Sequence, residues 1–92
     1  MNIIKIKTPN DLAKIISNNA RALRKKQKLS RQRLSEMSGV SFGSIRRFEE
    51  TGEISLKSLL KIALVLDCTD EFEQLFKQAE PKSIQEIING TF

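Results

Sequence analysis

The stretch LSRQRLSEMSGVSFGSIRRFE, from Leu29 to Glu49, decides how the chain folds. Two short helical patterns meet in it at a glycine. The first spans Arg31 to about Ser38, with Ser30 set to cap it: a serine oxygen accepts one of the amides left orphaned at a helix start. Gly39 follows, where the left-handed backbone that ends a helix costs a glycine little. Ser41 is a second cap, opening a helix from Phe42 to about Thr51, and Gly52 stops it. A link of only Gly39, Val40 and Ser41 forces a sharp crossing. Leu34, Met37, Val40, Ile45 and Phe48 have the spacing of one shared interior face. Ser35 is small where the two helices would touch. Phe42, Gly43, Ser44, Arg46 and Arg47 are left on the outer face of the second helix.

Around this stretch the charge is unevenly spread. The total over 92 residues is +5. From Arg21 to Arg47, nine basic residues (Arg21, Arg24, Lys25, Lys26, Lys28, Arg31, Arg33, Arg46, Arg47) face Glu36 alone, a net +8. From Glu49 to Phe92, four lysines face nine acids, a net −5. One half suits a polyanion and the other does not. A single domain of this length has a modest core, and dimerisation would add to it. The one cysteine, Cys68, allows no intrachain disulfide and has no histidine partner, which fits a reducing compartment. No run approaches the ~20 apolar residues of a membrane span, and Met1–Lys7 has the wrong order for a signal peptide. The expected location is cytoplasmic.

In chain order, Asn2–Lys7 alternates Ile and Lys after Ile3, the pattern of a short strand that needs a partner edge. That edge would be a dimer mate's copy or the C-terminal tail. Thr8-Pro9-Asn10-Asp11 is a helix start: Thr8 caps, Pro9 suits the first position, and Asp11 meets the positive end. The helix is predicted to about Gln27, burying Leu12, Ile15 or Ile16, Ala20 and Leu23. Ser55 caps a fourth helix over Leu56 to Leu66, apolar nearly all round and therefore expected to be central. Thr69 or Asp70 caps a fifth to about Gln78, with Phe72, Leu75, Phe76 and Ala79 in one stripe. That stripe suits core packing onto the first helix or a dimer contact, with Phe76 straddling both. Ser83–Asn89 carries a capping-box pattern and an apolar edge of Ile84, Ile87 and Ile88 that something must cover. The division is an arm over 1–8, a helical domain over 9–79 and a tail over 80–92.

Catalysis is a poor reading. The chain has no His, Tyr or Trp, no activated setting for Cys68, no Gly-rich phosphate loop and no metal-ligand spacing. No cofactor is expected.

The residues from about Leu12 to Leu66 resemble a helix-turn-helix of the Cro and phage-repressor class. The match lies in Ser35, the turn Gly39-Val40-Ser41, Ile45, Glu49, Gly52, Ser55-Leu56 and Leu59-Leu60-Lys61-Ile62-Ala63. The resemblance implies an all-α, five-helix, lambda-repressor-like domain that binds double-stranded DNA as a homodimer on a palindromic operator. It also implies an ion pair between Arg24 and Glu49. By that reading the first residues of the second helix of the unit meet bases: Phe42 a thymine methyl, Arg46 or Arg47 a guanine, with Gly43 and Ser44 close by. Arg24, Lys25, Lys28, Arg31 and Ser41 are expected at phosphates. Ile54 stands where the class usually has a Pro, Arg31 where it commonly has a Gln, and Phe42 and Gly43 where it has polar residues. Thr8-Pro9 and Asp11-Leu12-Ala13 further resemble HipB-like antitoxin repressors, which also hold a HipA-like kinase toxin. Phe72, Phe76, Ile84, Ile87 and Ile88 would then be dimer or partner contacts. The alternatives are a stand-alone phage-type repressor, or a protein-interaction module for which DNA is secondary.

Overall fold

Serine and threonine side chains fix four of the helix starts. In a computed structural model, which describes residues 7–78, the elements are α1 (Pro9–Lys26), α2 (Arg31–Ser38), α3 (Phe42–Thr51), α4 (Leu56–Leu66) and α5 (Asp70–Glu73). Thr8, Ser30, Ser41 and Ser55 cap α1 to α4, each accepting the amide three residues on at 2.9–3.1 Å. At α1 the cap is reciprocal, because the Thr8 amide donates to Asp11 at 3.1 Å. That hydrogen bond, with the one from the Thr8 hydroxyl, holds the Asp11 carboxyl below the usual carboxylate value. Gly39 and Gly52 end α2 and α3 in the left-handed conformation, with φ of 78° and 86°. Asp67 does the same for α4 at φ 59°.

These starts and stops set the corner. The Ser35 hydroxyl donates to the Val40 carbonyl at 2.6 Å, tying α2 to the turn. Leu34, Val40, Ile45 and Phe48 pack with Ile62 and Leu66 of α4 into the core. Burying each such side chain contributes about 1.5–3 kcal/mol. α3 lies against α1 and α2, and α2 against α4. The Gln27 amide donates to the Leu66 carbonyl at 2.9 Å, so the end of α1 satisfies an orphan acceptor at the end of α4. The expected all-α, five-helix architecture is present, with no strand among the described residues.

Several packing expectations are corrected. Met37 is 48% exposed: it lies at the rim of the α2 face that Leu34 centres. Leu12, Ile15 and Ile16 are also more than 40% exposed. Ala20 and Leu23 do pack on the core as expected, half-buried, but the rest of the packed side of α1 is small or polar, with Ser17 and Arg24 buried and Ala13 half-buried. Small residues there let α3 approach closely. A Cβ built on Gly52 would lie 2.9 Å from the Ala13 Cβ. On α4 only Ile62, Ala63 and Leu66 are buried, while Leu56 and Leu64 stay exposed, so the helix is one-sided.

The fifth helix departs most. It is one turn long, Thr69 makes no capping hydrogen bond, and turns follow from Gln74. The start is uncapped and the chain turns from Gln74 into a left-handed backbone at Phe76, so the helix does not run to Gln78. The Phe72, Leu75, Phe76 stripe therefore does not form. Phe72 is half-buried, whereas Leu75 and Phe76 are exposed and Phe76 sits at φ 67°. Ala79, the Ile84, Ile87 and Ile88 edge, and the strand pattern before Lys7 lie outside the described residues. Among those described, no helix is long and apolar enough to cross a membrane.

Candidate nucleic-acid interface

Glu49 anchors the back of the corner. It is 6% exposed, on the inward side of α3, where a lone carboxylate would be costly. Arg24 of α1, equally buried, meets it side-on: Nε donates to Oε2 at 2.7 Å and Nη2 to Oε1 at 2.8 Å. Arg31, the first residue of α2, adds a third bond from Nε to Oε1 at 2.9 Å. The remaining terminal nitrogen of Arg24, Nη1, donates to the Leu29 carbonyl at 2.8 Å. One carboxylate thus joins α1, α2 and α3. Burial pushes the Glu49 carboxyl up, but the hydrogen bonds from Arg24 and Arg31, with their charges, outweigh it and hold it below its ordinary value. Arg24 is raised, chiefly by its hydrogen bonds to Glu49. The Arg24–Glu49 pair that the resemblance implies is therefore formed.

This placement corrects one expectation. Arg24 is buried and each of its three nitrogens donates inside the protein, so it is not set to meet a phosphate. Arg31 keeps part of its side chain outside, with 22% of it exposed. Its pairing with Glu49 was not legible as a motif, since eighteen residues separate the two.

The front of the corner faces outward. Phe42, Gly43, Ser44, Arg46 and Arg47 are all exposed, Phe42 by 42%. A Cβ at Gly43 would meet nothing within 4 Å, so the surface there is open. Ser41 caps α3 and also donates to the Ser44 hydroxyl at 2.8 Å. Arg46 donates to Glu50 at 3.2 Å, an i,i+4 pair. Arg47 pairs with Glu53, which raises its pKa further through that hydrogen bond. The Glu50 partner follows from helical spacing. Glu53, six residues on and beyond Gly52, does not. Arg21, Lys25, Lys26 and Lys28 are exposed and meet no carboxylate among the described residues.

Two capped helices crossing at a left-handed glycine, with the second presenting an open face beside a cationic rim, define a helix-turn-helix DNA-binding unit. The helix-turn-helix family profile matches residues 21–72, and the chain belongs to that family, in its Cro/C1-type form. No curated protein matches the chain in sequence. Its function class is accordingly that of a DNA-binding transcription regulator, a class typically without enzymatic activity.

Elsewhere, an apolar groove of about 280 Å³ runs between α1 and α4, lined by Ile16, Leu23, Leu59, Cys68 and Phe72 among others. Cys68 is half-buried there, and burial, then Glu71 and Asp67, push its thiol up. That is the wrong direction for a reactive thiolate.

Proposed function

We propose that the chain is a sequence-specific repressor that works as a homodimer, laying α3 in the major groove at each half of a palindromic operator. The observation that carries this is the outward face of α3. Phe42, Gly43, Ser44, Arg46 and Arg47 are exposed together while Ile45, Phe48 and Glu49 of the same helix are buried. Those five residues are the proposed base contacts. Lys25, Lys28, Arg31 and Ser41 are the proposed phosphate contacts, Arg31 and Ser41 at helix starts whose amides favour anions. Two copies would set their α3 helices about 34 Å apart, one turn of DNA. The exposed Leu12, Ile15, Ile16 and Leu64 are apolar surface that favours association.

Thr8-Pro9 and Asp11-Leu12-Ala13 support the narrower reading of an antitoxin that also binds a HipA-like kinase, with Phe72, Phe76 and the tail isoleucines as candidate contacts. Co-purification with a kinase encoded beside it would support this reading; isolation of the dimer alone would favour a stand-alone repressor. The DNA reading is tested by titrating a duplex, selected from a random library, across a series of salt concentrations. Three cations per protomer at phosphates predict a log–log slope of about −5 for the dimer. A flat dependence would refute the interface, and a selected site without two-fold symmetry would refute the dimer.

A further inference from the structure

Arg47 and Glu53 are joined in a way that Arg46 and Glu50 are not. Arg46 offers one nitrogen, Nε, to a carboxylate one helical turn on. Arg47 offers its side edge: Nε donates to Glu53 Oε1 at 3.1 Å, and Nη2 donates to the same oxygen. A guanidinium has five N–H donors in a rigid fork. With the side edge held, both N–H groups of Nη1 and one of Nη2 remain, which is the end edge intact. A bidentate contact to O6 and N7 of guanine can use that edge.

The holder is itself anchored. Glu53 lies beyond the left-handed Gly52, which is pressed against Ala13. Its amide donates to the Thr51 hydroxyl oxygen at 3.2 Å, and that hydroxyl donates to the Arg47 carbonyl at 2.7 Å. The loop that carries the carboxylate is thus tied back to the residue whose guanidinium it holds. Ser44, Arg47 and Glu53 also line one open pocket of about 260 Å³ with Ser55 and Ser58 at the start of α4. An exposed ion pair adds little to fold stability. Its consequence is where Arg47 points.

Resting on the reading of α3 as the base-reading helix, we propose that Arg47 is its guanine reader and that Glu53 is the positioning residue that presents it. Glu53→Gln weakens the grip. Both N–H groups converge on one oxygen, and a neutral amide oxygen accepts them more weakly than a carboxylate, while the NH2 group that replaces the other oxygen faces the guanidinium as a second donor.

The test uses the full chain and a duplex selected from a random library by the wild-type protein, with all three alternative bases placed at each position in turn. Glu53→Gln is expected to lower discrimination for guanine about tenfold at one position of each half-site, leaving the other positions unchanged. Arg47→Ala is expected to lose discrimination at that same position, and adding Glu53→Gln to it should change nothing further. Glu36→Gln, the same charge change on α2, calibrates general electrostatics and should shift affinity for every sequence by one common factor. Discrimination is a ratio measured on one preparation, so a reduced folded fraction cancels. If Glu53→Gln behaves like Glu36→Gln, Glu53 acts only through its charge and the positioning role is overturned. If the affected position is not a guanine, the assignment of Arg47 is overturned. A wild-type chain that selects no sequence would overturn the DNA reading itself, a different result from either.

Discussion

Replacing Glu49 by Gln should remove more stability than any other change of a single polar group in this chain. The substitution keeps the volume and one acceptor oxygen, but it turns an NH2 group toward the guanidinium fork of Arg24 and removes the only anion facing two cations. Arg24 cannot relax into water, because its side chain is 7% exposed and its Nη1 is committed to the Leu29 carbonyl. Breaking a buried pair by removing one partner costs about 3–5 kcal/mol, because the other charge is left uncompensated. For a domain of this size, each kcal/mol shifts Tm by roughly 4–8 °C, so a fall of at least roughly 12 °C is expected. Denaturant unfolding followed by far-ultraviolet circular dichroism is the suitable assay, since the chain has no Trp or Tyr to report by fluorescence. The pH dependence supplies a second measurement. The Glu49 carboxyl is depressed in the folded state, so its stabilising contribution is fully present above the ordinary glutamate value of about 4.3 and is lost as pH falls through the lower folded value. The gap in stability between the native chain and Glu49→Gln should therefore narrow over that acid range. Replacing the pair by apolar residues, Arg24→Met with Glu49→Leu, should recover most of the loss, with Arg31 free to turn its half-buried side chain to water. A cost below about 1 kcal/mol for Glu49→Gln, the range of exposed pairs, would refute the reasoning: the three side chains would then be separated by solvent.

The two left-handed glycines should respond differently to alanine. Gly39→Ala meets nothing within 4 Å and should cost only the backbone penalty, about 1–2 kcal/mol, whereas Gly52→Ala adds a clash with the Ala13 backbone and side chain and should cost clearly more in the same unfolding assay. Equal losses would mean that α1 moves aside freely. Arg31→Ala should weaken binding to all sequences alike and make the salt slope shallower by about one per phosphate lost, read by anisotropy titration at several salt concentrations. A change of base preference instead would reverse the sorting of its contact.

The sequence was legible where local chemistry was decisive. Ser30, Ser41 and Ser55 cap, Gly39 and Gly52 stop, and the helix bounds from Arg31 to Leu66 follow from them because a cap is a contact between near neighbours. Legibility failed wherever a helix had to choose between two apolar sides. On α1, hydrophobicity marks Ala20 and Leu23, which do pack, but also Leu12, Ile15 and Ile16, which stay exposed, while the packed side runs through Ala13, Ser17, Ala20 and Arg24. Close approach of α3 at Gly52 needs small residues more than large apolar ones. Their spacing of four, three and four was a readable signal of that kind. The fifth helix failed for a different reason: Thr69 and Asp70 are cap-forming residues ahead of an apolar stripe, but Thr69 makes no capping hydrogen bond and the chain turns after Glu73. At the candidate site, the outward face of α3 was readable from periodicity. The Glu53 partner of Arg47 was not, because the chain turns at Gly52 and helical spacing no longer says what is near.

The same geometry explains why two arginines of one basic cluster differ so much in exposure. Arg24 and Arg31 both belong to the run that suggests a polyanion partner, and both end on Glu49. Arg24 comes from the last turn of α1, whose side facing α3 is otherwise small, so its long side chain fills the space there and closes on Glu49 with its side edge. Arg31 comes from the first turn of α2, at the surface, and reaches Glu49 with Nε alone. Coulomb attraction falls with distance and strengthens with burial. The short, buried contact therefore fixes α1 against α3, while the more exposed one leaves part of Arg31 at the surface. Basic residues in such a cluster are then divided by depth. Arg24, buried on Glu49, sets the angle at which α3 leaves the body, whereas the exposed Lys25 and Lys28, with the outer part of Arg31, are the cations left at the surface for the proposed phosphate contacts. The angle and the charge are set by different members of one sequence run, so a substitution at Arg24 and one at Lys28 should be distinguishable by stability and by salt slope.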